Sequence, residues 1–307
     1  MNKTADPILT IFTPAYNRAH TLPRTYESLC RQSCKDFIWL IVDDGSADNT
    51  VELVRDWQSR DNGFTIQYIY KENGGMHTAH NVAYANIHTE LNTCIDSDDM
   101  LSDELPQSYV LADGAVEKIL SKWDEVKGEG YAGIVGLDAD FDGKIIGKGF
   151  PDGLSETTIS GYYAAGGAGD KKLVYRTDVI NAYPAYPVFE DEKYVSLAYK
   201  YLLIDQDYKL AVLDEVLCNV KYQSDGSSNN MLRQYLKNPK GFAFWRVVKM
   251  QHPESLKRLV MDCIHYCSSS QIAGNRNYIK ESPLKLLTVL CTPAGWVLTW
   301  WIRRRVK

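Results

Sequence analysis

Within the first hundred residues, short apolar runs alternate with segments of helical periodicity, and each run stops abruptly at polar residues. This is the signature of an α/β layer built on a largely parallel sheet. Residues 8–13 read as a first strand and 37–42 as a second, apolar throughout as in strands covered on both faces. Between them Thr21 stands as the cap of a helix with Pro23 in its first turn and Leu22, Tyr26 and Leu29 on one side. Asn49 followed by Glu52 is a capping-box pattern ahead of Val51, Leu53, Val54 and Trp57. Residues 65–70 give a third strand, 76–88 a third helix and 91–95 a fourth strand.

Past residue 105 the order loosens. The pattern predicts a helix over 106–123, a strand over 131–137, an Asp142-Gly143 hairpin, a Gly/Ala loop at 164–169 and an acid-headed helix over 188–203. Closing strands follow at 210–212 and 216–222, then a polar loop at 223–230 and helices over 231–270. Residues 284–302 form an apolar segment that Pro293 and Gly295 are expected to break, followed by Arg303-Arg304-Arg305. The expected division is 1–230 for an α/β domain and 231–307 for a helical extension, with a tail at about 284–307.

Composition narrows the function classes. A chain of 307 residues with 45% hydrophobic and 24% charged residues holds enough apolar material for a sizeable core. The net charge of -5 removes the basic field that nucleic-acid binding requires, so no nucleic-acid partner is expected. That average conceals an asymmetry: residues 271–307 hold seven Lys/Arg against one acid (+6), leaving 27 minus 38, or -11, for 1–270. Seven scattered cysteines and the lack of a signal-peptide core before Pro7 fit a reducing, cytoplasmic setting. Cys30/Cys34 and Cys263/Cys267 are each one helical turn apart but lack a second nearby Cys/His pair, so they read as small thiols rather than a metal site.

In an open α/β sheet, ligands sit at the carboxyl ends of the strands. Here the first strand runs into Thr13-Pro14-Ala15-Tyr16-Asn17-Arg18, the second into Asp43-Asp44-Gly45-Ser46, and the fourth into Asp96-Ser97-Asp98-Asp99. Such a gathering of carboxylates calls for a cation, and a hard ion such as Mn2+ or Mg2+ shared with phosphate oxygens suits it. The turn after the first strand has no glycine, which disfavours a Rossmann dinucleotide site, and no P-loop is present.

Four segments in this order, Thr13 to Arg18, Val42-Asp43-Asp44-Gly45-Ser46, Glu72-Asn73-Gly74-Gly75 with Ala79 and Asn81, and Asp96-Ser97-Asp98-Asp99, resemble the inverting family 2 glycosyltransferases of GT-A fold. The likeness continues more loosely through Pro187 to Tyr194 and through 222–229, and is closest to bacterial enzymes of surface polysaccharide synthesis, of capsule or O-antigen type. It implies a single Rossmann-like mixed sheet flanked by helices and a metal-dependent transferase of hexosyl type using a nucleotide diphosphate sugar, with UDP the expected nucleotide. It also implies that Thr13, Pro14, Tyr16, Asn17 and Arg18, with Asp43, Asp44, Asn73, Gly74, Gly75, Asp96 and Ser97, surround the nucleotide. Asp98 and Asp96 would hold the metal.

The transfer also needs a general base, and the resemblance places a carboxylate late in the domain, where Glu190-Asp191-Glu192 stands; Asp191 is preferred, then Glu192. The acceptor is expected to be a saccharide or lipid-linked saccharide, the oligomeric state stays open, and the Trp296, Trp300, Trp301 and Arg303–Arg305 tail suits peripheral contact with the cytoplasmic face of the inner membrane, with packing on the domain or an oligomer partner, and insertion into the membrane, as the alternatives. A nucleotidyltransferase, or a nucleotide-sugar-binding subunit without a base, are the alternative functions.

Overall fold

The computed structural model describes residues 6–97, 114–128, 130–220 and 231–306. They fall into two compact units, one within residues 1–73, 79–185 and 200–223, the other within 74–78, 186–199 and 224–307. The expected boundary at 230 lies outside the described residues, and two short stretches, 74–78 and 186–199, belong with the C-terminal helices.

The first half alternates as its pattern predicts: β1 (Leu9–Ala15), α1 (Leu22–Arg31), β2 (Phe37–Asp43), α2 (Thr50–Gln58), β3 (Thr65–Tyr70), α3 (Met76–Asn86) and β4 (Leu91–Cys94). Then come α4 (Ala115–Val126), β5 (Gly133–Ala139), β6 (Glu156–Thr157), α5 (Ile159–Ala164), β7 (Lys171–Arg176), α6 (Thr177–Ala182), α7 (Ala198–Ile204) and β8 (Leu210–Asn219). The eight strands form one sheet in the order β3-β2-β1-β4-β7-β5-β8-β6. β1 to β4 pair in parallel, while β7 runs antiparallel to both β4 and β5, so the sheet is mixed.

β1 and β2 are buried along nearly their whole length, which explains their mainly apolar character, and the two threonines of β1, Thr10 and Thr13, are hydrogen-bonded to Thr89 and Trp39. Behind them Tyr26 of α1 stacks on Trp57 of α2 at 4.5 Å between ring centroids, and Trp57 on Trp39 of β2 at 5.7 Å. Leu29, Leu22 and Val54 complete that layer without exposure. Aromatic stacking of this kind fixes the two helices on one face of the sheet beyond the effect of area alone.

The second unit is helical: α8 (Met231–Lys237), α9 (Pro239–Gln251), α10 (Leu256–Ile272), α11 (Tyr278–Glu281) and α12 (Lys285–Arg305). Its core gathers Met250, Cys263, Tyr266, Cys267, Tyr278 and Cys291. All seven cysteines are free thiols. Arg246 of α9 and Lys249 both pair with the buried Asp262 of α10, at 2.5 and 3.2 Å.

Several expectations are corrected. The Asn49 cap makes no side-chain hydrogen bond; Asp48 takes that work, accepting Thr50 N at 3.2 Å and Thr50 Oγ1 at 2.6 Å. Residues 188–203 are not an acid-headed helix, since helix begins only at Ala198. The two closing strands are the single β8. α12 runs unbroken through Pro293 and Gly295. The helix expected over 106–123 is described only from Ala115.

Candidate active site

The parallel register sets Ala15 at the end of β1 beside Asp43 at the end of β2, so the two following loops leave the sheet together. Asp44 N donates to Ala15 O at 2.8 Å. Asn17 adopts a left-handed conformation, φ 53, and ties the loops twice: its N donates to Ser46 Oγ at 2.9 Å and its Oδ1 accepts Ala47 N at 2.8 Å. Ala19 N adds a third tie, to Asp48 Oδ2 at 2.9 Å. A left-handed residue other than glycine persists only where its surroundings over-determine it, and these ties do so.

The consequences differ along the segment. Thr13 is fully buried, its hydroxyl accepting Trp39 Nε1–H at 3.0 Å, and Pro14 is buried beside it. Neither presents surface to a ligand. Tyr16 is 48% exposed, and Arg18, like Asn17, is half-buried, so these side chains keep surface open to a ligand.

Asp43 and Asp44 likewise separate into two tasks. Asp43 is buried, its Oδ1 accepting Ser46 N at 2.8 Å and its Oδ2 the Tyr68 hydroxyl at 2.6 Å. Burial and that bond push the Tyr68 hydroxyl pKa well up. Asp44 pairs with Lys71, and Asn73 Nδ2 donates to its backbone O at 2.7 Å and to Oδ2 at 3.2 Å. Gly45 sits at φ +83, and a Cβ on it would lie 2.8 Å from Asn73 N, so only glycine lets the two loops approach. Lys71 is a site residue that sequence reasoning missed; its signal is a lone cation directly after β3 and ahead of Glu72-Asn73.

Asp96 follows β4. Cys94 Sγ donates to its Oδ1 at 3.3 Å and lies 3.7 Å from His80 Nε2, while His80 Nδ1 is 3.2 Å from the Tyr84 hydroxyl. The ligand atoms of His80, Cys94 and Asp96 all lie within 4.8 Å of one another. Asp96 is half-buried and its carboxylate suits a hard Mn2+ or Mg2+ shared with diphosphate oxygens, whereas the imidazole and thiol behind it are softer donors. Ser97 is buried; Asp98, expected as a metal ligand, lies outside the described residues, as do Asp99 and 222–229.

A second missed residue is Asp138, in β5. Burial raises its pKa to about 6, with Lys172 opposing and Asp170 and Asp96 adding to the rise. Its Oδ1 has no hydrogen-bond partner among the described residues. Lys172, whose Nζ donates to Cys94 O at 3.1 Å, links it electrostatically to the end of β4, two residues before Asp96. No local pattern singles Asp138 out, because it precedes what reads as an ordinary hairpin.

In the second unit, the acids at 190–192 occupy a loop. Glu192 is buried, with Oε1 accepting Lys240 N and Oε2 accepting Gly241 N, both at 2.8 Å, in the first turn of α9. Lys193 N donates to Asn238 Oδ1 at 2.8 Å. A Cβ on Gly241 would lie 2.1 Å from Tyr194 O, and one on Gly75 2.1 Å from Lys193 O. Thus Gly74-Gly75 and the first turn of α9 hold the same loop. Asp191 remains exposed at its tip, in a left-handed conformation with φ 64, and Glu190 is exposed as well.

Known proteins resemble this chain in sequence and in fold. Residues 10–124 match the profile described as Glycosyl transferase family 2. An uncharacterized glycosyltransferase of Mycoplasma genitalium, MG060, is 35% identical over 98 residues, 31% of this chain and 33% of that protein. The chain spans a third or less of the first curated relatives it matches. Among solved structures, S. aureus TarS 1-349 in complex with UDP-GlcNAc superimposes with a TM-score of 0.58 at 14% identity, covering 97% of this chain and 92% of that one. The mannosyltransferase PcManGT from Pyrobaculum calidifontis, in complex with GDP-Man and Mn2+, gives 0.55 at 14%, covering 97% and 88%. Residues 10–124 thus match the family 2 glycosyltransferases, and the described residues take a GT-A fold.

Proposed function

We propose that this protein is a metal-dependent, inverting glycosyltransferase. It moves a sugar from a nucleotide diphosphate sugar, of UDP type, to a hydroxyl of a saccharide or lipid-linked saccharide in bacterial surface-polysaccharide synthesis, at the cytoplasmic face of the inner membrane. The observation that carries this is the interlocked pair of loops after β1 and β2, which holds Tyr16, Arg18 and Asp44 beyond the carboxyl ends of the parallel strands, the end from which Asp96 also emerges after β4. UDP-GlcNAc and GDP-Man with Mn2+ are the ligands of the two structural neighbours, and they set the nucleotide and metal classes to test.

In this reading Tyr16 stacks on the base, Arg18 meets phosphate oxygens and Asp44, aligned by Lys71 and Asn73, accepts from the base or ribose. Asp96 and Asp98 hold the cation, which supplies charge stabilisation to the departing diphosphate. Asp191 is the general base that takes the proton of the attacking hydroxyl. Glu192 acts through position: its carboxylate is consumed by two backbone donors, so it orients Asp191 rather than accepting the proton.

Attack from the face opposite the leaving diphosphate inverts the anomeric carbon, so a single carboxylate base suffices and no covalent sugar intermediate is required. The test is a thermal-shift panel of nucleotide sugars with and without Mn2+, followed by NMR of the product anomer. Stabilisation by UDP-sugars that depends on Mn2+, with an inverted product, is expected. Equal stabilisation without metal, or a retained anomer, would remove the reading.

A further inference from the structure

α12 is built inside out. Most of its packed face is small or hydroxylated: Thr288, Cys291 and Gly295 are buried, joined near the C-terminal end by the apolar Ile302, and a Cβ on Gly295 would lie 2.5 Å from Cys267 Cβ, which shows how closely α10 approaches. Hydroxyls line this contact. Thr299 Oγ1 lies 3.0 Å from Ser268 Oγ, and Thr292 Oγ1 lies 3.0 Å from the Tyr278 hydroxyl. The opposite face carries the large apolar side chains, Leu286, Leu290, Val297, Trp296, Trp300 and Trp301, at 41–76% exposure. At about 3.6 residues per turn, Leu286, Leu290, Pro293, Val297, Trp300 and Arg304 fall on one line along the helix. A helix in water has this arrangement reversed, whereas small and hydroxylated packing faces with large apolar outer faces are the habit of helices in lipid.

The charge at the end of the row identifies what covers it. Arg303, Arg304 and Arg305 close the helix, and 271–307 carry +6 against -11 for the remainder. The Arg304 guanidinium lies 4.3 Å from the Trp300 ring centroid and that of Arg305 5.5 Å from Trp301. Between α10 and α12 a groove of about 460 Å³ is lined by Gln271, Trp296, Thr299, Trp300, Arg303 and Arg304. Indole rings rimming a pair of guanidinium groups match the level of a bilayer where acyl chains give way to anionic headgroups.

We infer that α12 is a docking surface for an anionic phospholipid bilayer, lying in the plane of the interface with a headgroup phosphate in the Arg303–Arg304 groove. At about 1.5 Å per residue the helix is long enough to span the hydrocarbon core. It is the one helix among the described residues that meets that length and hydropathy. Spanning would, however, either strip its hydroxyl face from α10 or carry α10 into lipid with its buried Asp262, Arg246 and Lys249 cluster. Lying flat, the helix buries its outward row and keeps that packing.

The inference deepens the membrane-face part of the proposed function, and its test uses no transfer activity, so either can fail alone. The full chain is sedimented with vesicles of phosphatidylcholine and with vesicles of phosphatidylcholine mixed with phosphatidylglycerol, at low and high salt. Binding to the anionic vesicles alone, weakened by salt, is expected. Arg303→Gln/Arg304→Gln should weaken it by about fivefold per arginine, and Trp300→Gln/Trp301→Gln should nearly abolish it.

All four positions face outward, so native unfolding temperatures are expected of both variants. As a check on the native chain, shallow brominated lipids should quench tryptophan fluorescence more than deeply brominated ones. No binding to anionic vesicles, deeper than shallow quenching, or an oligomer that dissociates in the tryptophan variant without any vesicle binding would overturn the inference; the last outcome would make the row a protein interface.

Discussion

Glu192 and Gly241 are joined through the carboxylate: Oε2 accepts the Gly241 amide at 2.8 Å while Oε1 takes that of Lys240. The bonds lock the loop whose tip is Asp191, so two neighbouring acids have opposite fates, one spent on the fold and one left at the surface.

Asp191→Asn is therefore expected to separate chemistry from structure. Asparagine tolerates the left-handed backbone at φ 64, so folding should be unchanged. Transfer should fall by roughly a hundred- to ten-thousand-fold, as for loss of a general base. Glu192→Gln places an amide NH2 against a backbone N–H and should cost about 2 kcal/mol of stability, with a smaller effect on rate. Single-turnover transfer and thermal unfolding of both variants decide the matter. Native turnover in Asp191→Asn would move the base elsewhere.

Gly45→Ala should act on the nucleotide without touching the sheet. The new Cβ would lie 2.8 Å from Asn73 N, at a φ of +83 that alanine disfavours. Asn73 then moves off Asp44, and Asp44 loses the alignment shared with Lys71. Titration calorimetry with UDP should show a loss of about tenfold or more, about 1.4 kcal/mol. Binding equal to native would mean that the Asp44 carboxylate does not meet the nucleotide.

How far the sequence announces this molecule depends on where its hydrogen bonds go. β1 and β2 are legible almost to the residue, because strands covered on both faces are mainly apolar and end where polar loops begin, and the edge strand β3 is legible from its β-branched and aromatic residues. β7 is invisible, although it lies mid-sheet between β4 and β5. It begins with Lys171 and Lys172, whose ammonium groups are spent on backbone carbonyls, those of Ala168 and Asp170 for one and Cys94 for the other. Hydropathy counts such lysines as surface.

The acids at 190–192 mislead in the same way. Glu192 does stabilise a helix N-terminus, but it is that of α9, 48 residues further on, and no local pattern records that pairing. Among the expected site residues, those after β1 and β2 converge because parallel register demands it, while the division of labour between Asp43 and Asp44 depends on Tyr68, Lys71 and Asn73 across the loops.

Asp138 makes stability depend on pH in the direction opposite to a paired carboxylate. Burial raises its folded pKa to about 6, from an ordinary value of 3.8. The folded state thus holds the proton more tightly than the unfolded state between those values, and stability falls as pH rises through that window. Asp138→Asn should match the native protein near pH 4 and exceed it above pH 7, by on the order of 2 kcal/mol. Chemical denaturation at both pH values measures the difference. A variant equally stable relative to native at both would show that the carboxyl is not held protonated.

The cluster behind Asp96 should make the enzyme sensitive to zinc. A tetrahedral Zn2+ with Zn–S near 2.3 Å and Zn–N near 2.0 Å separates its ligand atoms by about 3.6 Å. The Cys94–His80 and Cys94–Asp96 separations are 3.7 and 3.3 Å. Under the proposed function, Zn2+ bound there would take the Asp96 carboxylate from the donor site and should inhibit transfer even with Mn2+ in excess, because the thiolate favours the softer ion. Cys94→Ser should raise the inhibiting Zn2+ concentration by about tenfold or more, leaving Mn2+ activation unchanged. Co2+ substituted for Zn2+ should give a thiolate charge-transfer absorption in the native protein that Cys94→Ser lacks. Inhibition that persists equally in Cys94→Ser would place the zinc effect outside this cluster.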